Sequence, residues 1–209
     1  LAASYVGDGS HVEAIRAAPS PFPTEVTGMS AQLVDTKSAL FSRLPLAAGI
    51  IALVTFLVLF IQFGSVVIPI KAVILNLLSL SATFGAMVWI FQEGNLSGVL
   101  DFTAIGSIDA TTPILMFCVA FGLSMDYEVF LLSRIKEEYD RTGDNELSVA
   151  RGLEHTGRIV TAAALLIAVV FIAFATSNVT FIKLFGIGLT LAVLMDAFVI
   201  RGTLVPAFM

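Results

Sequence analysis

FGLSMDYEVFLLSR, residues Phe121 to Arg134, places Asp126, Tyr127 and Glu128 inside an apolar run that begins near Thr112 and ends at a basic cluster opened by Arg134. A charged group within a membrane-spanning segment is costly, so it faces a protein interior or a wet cavity and marks an ion path by default. On a helix, Gly122, Asp126, Phe130 and Ser133 share one face, at spacings of four, four and three. That face offers a small residue for close packing, a titratable acid, a ring and a hydroxyl. Glu128 falls about 200° around the axis from Asp126, at roughly 100° per residue, so the two carboxylates do not form a catalytic dyad.

Working outward, the composition matches this reading. The 209-residue chain is 57% apolar and 13% charged, with a mean hydropathy of +0.96, beyond what a soluble domain shows. The fold class expected is an all-α membrane protein with five transmembrane helices. The crossings are read at about 44–63, 72–92, 112–133, 159–176 and 181–206, within a transmembrane domain of 44–209. Residues 1–43 are polar, with Pro19, Pro21 and Pro23 breaking regular structure, and read as the tail of a soluble domain and a helix-competent link. The 93–111 segment holds three acids and no Lys or Arg, and its apolar residues Val99, Leu100, Phe102, Ile105 and Ile108 place part of it in the interface.

Residues 134–158 read as a solvated loop with a short amphipathic helix around Leu147 to Leu153. Its five basic residues, with Lys71 and Arg201, lie on one side of the membrane, which makes that loop cytoplasmic and residues 1–43 extracytoplasmic. Asp126 then lies roughly 21 Å from the outer end of its span, and Asp196 at nearly the same depth, pointing to a shared polar layer.

Individual residues divide between roles. Asp126 reads as a proton carrier, because desolvation raises a carboxyl's affinity for protons, and Tyr127 as a phenol that orients an acid on a facing helix. Phe130 serves core packing or gates a water path, and Ser133 is a helix-end hydroxyl or a relay. Asp196 joins the relay or pairs with Arg201, and Glu128 reads as structural. Gly186 and Gly188 permit close helix packing. Cys118, the single cysteine, reads as a packing residue, and His11 and His155 as solvated. No metal-ligand spacing, phosphate loop or nucleophile–base constellation occurs. No enzyme and no cofactor is therefore expected, with the proton gradient as energy source. No basic tract is long enough to follow nucleic acid.

The chain resembles the MMPL family, the mycobacterial-membrane-protein-large branch of the resistance–nodulation–division transporters. The likeness lies in GLSMDYEVFLLSRIKEE (122–138), IDATTPILMF (108–117), KAVILNLLSLSATFGAMV (71–88) and TGRIVTAAALL (156–166), with weaker echoes in VTGMSAQLVD (26–35) and DAFVIRGTLVPAFM (196–209). The resemblance implies that the five spans are spans 8 to 12 of twelve, and that residues 1–43 end an extracytoplasmic porter domain. It implies a proton relay in which Asp126 and Tyr127 on span 10 face a second Asp-Tyr pair on span 4. Phe130 matches an aromatic position of the family motif, and Thr27-Gly28 stands where the family often has Gly-Gly.

The implied partners are an N-terminal transmembrane half with its porter domains, and a lipid or other hydrophobic small-molecule substrate. A homo-oligomer is compatible with this. The implied function is proton-driven export of lipids or amphiphiles across the plasma membrane. Drug efflux and a non-transporting scaffold are the alternatives.

Overall fold

The computed structural model describes residues 10–19, 22, 25–102 and 111–208, and among them every regular element is a helix. Among the described residues, five helices are long and apolar enough to cross a membrane: Met29–Phe63, Val67–Gln92, Thr111–Thr142, Asn145–Phe174 and Thr180–Ala207. The chain is an all-α membrane protein. Its residues fall into two units that divide between Leu53 and Val54.

In the first unit, α1 (Ser10–Ala17) lies against the start of α2 (Met29–Phe63). Arg16 holds Asp35 through both guanidinium nitrogens, at 2.5 and 2.8 Å. The pair is exposed, so it orients more than it stabilises. The helix-competent link and the first crossing are one continuous helix with Pro45 inside it. Of residues 1–43, only 10–19, 22 and 25–43 are described, so the reading of the remainder as a domain end lies outside the described residues.

In the second unit, α3 (Val67–Met87) follows after Gly64, whose φ of 64° sets the turn. The second crossing therefore starts earlier than residue 72, because Pro69 sits in the first helical turn, where a missing N–H costs nothing. A π-helical turn, Val88–Gln92, extends it. The short α4 (Ser97–Leu100) precedes the undescribed residues 103–110, which include Ile105 and Ile108. Phe102 does pack inward, its ring 4.6 Å from that of Phe91, while Val99 stays exposed.

The expected 134–158 loop is instead helical. Helix α5 (Thr111–Thr142) runs on past its apolar end, and α6 (Asn145–Phe174) begins three residues later. Gly143, at φ 69°, stops the first helix, and the Asp144 carboxylate accepts from Leu147 N at 3.1 Å to start the second. The charges continue the helices because they pair along them, Arg134 with Glu137 at 2.6 Å and Glu138 with Arg141 at 2.7 Å.

The last helix, α7 (Thr180–Leu194), passes into a ten-residue π-helical segment, Met195–Leu204, and ends in α8 (Val205–Phe208). It packs on α3, α5 and α6. Lipid is as apolar as leucine, so close packing rather than expulsion of water holds such helices together. Glycine permits it here. A Cβ on Gly186 would lie 2.6 Å from the Phe171 carbonyl oxygen, and one on Gly188 would lie 2.1 Å from Met116 Cε.

Candidate functional site

The inward face of α5 is a stripe at helical spacing, Met116, Ala120, Ser124, Glu128, Leu131 and Ile135, all buried. Aliphatic at both ends, it turns polar at Ser124 and Glu128. Opposite them on the last helix lie Asp196 and Arg201, 7% and 3% exposed.

Arg201 organises the cluster. Its Nη2 lies 2.6 Å from Asp196 Oδ2 and also donates to the backbone carbonyl of Ser124. Ser124 Oγ donates to the other carboxylate oxygen, Asp196 Oδ1, at 2.8 Å. The guanidinium carbon stands 5.3 Å from the centroid of the Tyr127 ring, a cation–π distance. One buried cation thus clamps two helices through an acid, a carbonyl, a hydroxyl and a ring. Charge-assisted bonds of this kind are about twice as strong as neutral ones.

The local reason is the π-helical turn. In a regular α-helix, residues five apart point roughly 140° away from each other. The wider winding of Met195–Leu204 brings Asp196 and Arg201 to one side.

Two buried polar groups are left over. Nη1 of Arg201 and both amide atoms of Asn76 on α3 have no hydrogen-bond partner among the described residues. Asn76 is 1% exposed, and α3 packs on the π-helical segment that carries Arg201. Glu128, 7% exposed, lines a cavity of about 20 Å³ with Lys71, Leu75 and Val205. That is room for about one water molecule.

Asp126 lies on the other face of α5. Its side chain is exposed in this chain, on a stripe with Cys118 and Gly122, which are exposed as well. Within this chain, therefore, the buried cluster that holds Asp196 does not include Asp126. Ser124 and Glu128 lie two residues either side of it, so by helical period the faces are opposed. Cys118 is likewise not a packing residue within this chain. Tyr127 bridges the two faces, half-buried beside Arg201. Phe130 is half-buried, with the Arg134 guanidinium 5.9 Å over its ring. Ser133 Oγ donates to the Phe130 carbonyl at 2.8 Å, so its proton serves its own helix. Asp196 does pair with Arg201.

Glu128 and Ser124 were missed as members of the buried cluster. Their spacing of four, on the face shared with Ala120 and Met116, was the available signal. Lys183, which interrupts the last span, is buried, and its Nζ donates to the carbonyls of Leu100 and Asp101 at 2.6 and 2.8 Å. Among the described residues, no three His, Cys, Asp or Glu side chains gather as a metal site would require.

The sequence profile of the MMPL family matches residues 7–209. The chain is 48% identical over 198 residues to a membrane protein of Streptomyces coelicolor, covering 95% of this chain and 28% of that protein. It is 41% identical over 193 residues to the trehalose monomycolate exporter MmpL3 of Mycobacterium tuberculosis, covering 91% of this chain and 20% of the exporter. It is 40% identical over 185 residues to the heme uptake protein MmpL11 of the same species, covering 88% of this chain and 19% of that protein. The chain thus spans about a fifth to just over a quarter of the length of these relatives.

Proposed function

The chain belongs to the MMPL family, and on that premise we propose that it forms part of the membrane motor of a proton-driven exporter of lipids or other amphiphilic envelope molecules. Two of these relatives are named for transport, one a trehalose monomycolate exporter and one a heme uptake protein. Both cargoes are amphiphilic. The observation that carries the reading is the opposition of faces on α5, with a bare carboxylate, Asp126, on one side and the Arg201 clamp on the other.

In this reading Asp126 takes up and releases the proton. Its exposed stripe, with Cys118 and Gly122 offering little bulk, is where the remainder of the transporter covers α5 and brings the second Asp-Tyr pair. Tyr127 stands between the carrier and the clamp. Protonation removes a charge from that covered face and shifts the balance between two helix packings, through their differing proton affinities. The clamp carries the movement of α5 into the last helix, because Arg201 holds the Ser124 backbone and Asp196 together. Asn76 and Nη1 of Arg201 have hydrogen-bonding capacity that no described residue takes up in this packing. The proton gradient supplies the energy, the membrane is the plasma membrane, and the α5–α6 hairpin is cytoplasmic.

The test uses the full-length protein in its own host. The gene is deleted and restored as wild type or as Asp126→Asn, with membrane levels matched, and envelope lipids are profiled. A lipid restored by wild type and not by the variant supports the reading. Equal restoration removes Asp126 from the mechanism, and an unchanged profile on deletion removes the lipid cargo.

A further inference from the structure

Where α5 and α6 leave their apolar runs, they enclose a cavity of about 380 Å³ that takes no part in the clamp. Pockets of roughly 300–1,000 Å³ are the size that holds small-molecule ligands. Its concavity follows from the residues. Gly152 lets α5 and α6 approach closely, since a Cβ there would lie 2.5 Å from Ile135 Cγ1, and Thr156 folds its hydroxyl back to the Gly152 carbonyl at 2.7 Å.

The lining has two tiers. Phe130 and Ile159, the ends of the two apolar runs, form the tier nearer the membrane centre. Beyond them stand Arg134, Arg151 and His155 with Glu137 and Glu138. The charges do not cancel evenly. Glu138 Oε2 is held by Arg141 at 2.7 Å, and Arg151 lies 3.8 Å from that same oxygen. Arg151 thus shares Glu138 with Arg141, so three guanidiniums here face two carboxylates. Nδ1 of His155 lies 2.8 Å from the Arg151 carbonyl, which can only accept, so Nδ1–H donates and Nε2 is the ring's other polar atom.

We propose that this cavity holds the headgroup of a singly charged phospholipid from the leaflet on that side. Its phosphodiester lies on Arg151 and Arg134, and its first acyl carbons lie against Phe130 and Ile159. Basic pockets between membrane helices at the water boundary bind anionic lipid headgroups. A soluble anion leaves the apolar tier unused, and an uncharged glycolipid leaves the guanidiniums that share Glu138 without a second anion. Glu137 and Glu138 weigh against headgroups carrying several negative charges. The site goes beyond the transport reading, because neither Asp126 nor Arg201 belongs to it.

The test is a titration of delipidated full-length protein in non-ionic detergent with phosphatidylglycerol, counted by native mass spectrometry. Arg151→Gln and Arg134→Gln are each expected to weaken the first bound lipid about fivefold. Glu137→Gln, which frees Arg134 from its 2.6 Å ion pair, is expected to tighten it. Free glycerol phosphate at the same concentration is expected not to compete. Equal binding by wild type and all three variants, meaning non-specific annular lipid only, overturns the proposal. So does competition by glycerol phosphate, which would make the cavity a soluble-anion site.

Discussion

Asp196 and Arg201 are five residues apart on one helix, yet Oδ2 and Nη2 meet at 2.6 Å because the helix there winds as π. Arg201 also holds the Ser124 backbone, so the ion pair fixes the register between the last helix and α5.

Removing either member leaves an uncompensated buried charge, which costs about 3–5 kcal/mol. Asp196→Asn and Arg201→Gln are each expected to lower the thermal midpoint of the purified full-length protein. The double variant Asp196→Asn with Arg201→Met is expected to recover most of the stability and none of the transport. Recovery of transport would make the pair a packing feature only.

The glycines of the last helix and of α5 are expected to behave differently. Gly186→Ala drives a Cβ to 2.6 Å from the Phe171 carbonyl oxygen, against backbone that cannot swing away. A loss of about 1–3 kcal/mol is expected, read as a lower thermal midpoint. Gly122→Ala meets no atom within 4 Å in this chain. In the full-length protein it is expected to lower transport with a smaller loss of stability, because the proposed function places the remainder of the transporter on its face.

Lys183 pins the end of α4 through two carbonyls. Hydrogen bonds to charged groups contribute about 1.5–3 kcal/mol, so Lys183→Met is expected to speed amide exchange across Ser97–Asp101 by about tenfold or more. Hydrogen exchange by mass spectrometry reads this directly. Unchanged exchange there would show that the pin carries no weight.

Much of this was legible in the sequence, for reasons that particular residues make plain. All five crossings lie on long helices, because uncharged runs such as Leu44 to Phe63 have one economical fate in a bilayer. The extension of α5 and α6 beyond the apolar runs was not seen. Charged residues outnumber apolar ones there, and the helical signal was the Arg134–Glu137 and Glu138–Arg141 spacing instead. Helical period correctly separated Asp126 from Glu128, yet period alone does not say which face turns inward. That choice depends on the partner of Ser124, which lies 72 residues away as Asp196. The π-helical turn was equally hidden, since it depends on tertiary pairing rather than on local propensity.

The central claim is that Asp126 carries the proton. Its most direct test is proton entry into liposomes that contain the full-length protein and its host's lipids, followed with an internal pH-sensitive dye under an imposed potential. Wild type is predicted to admit protons and Asp126→Asn to reduce that flux to the level of empty liposomes, while Glu128→Gln still conducts. Proton entry through Asp126→Asn at the wild-type rate would contradict the account.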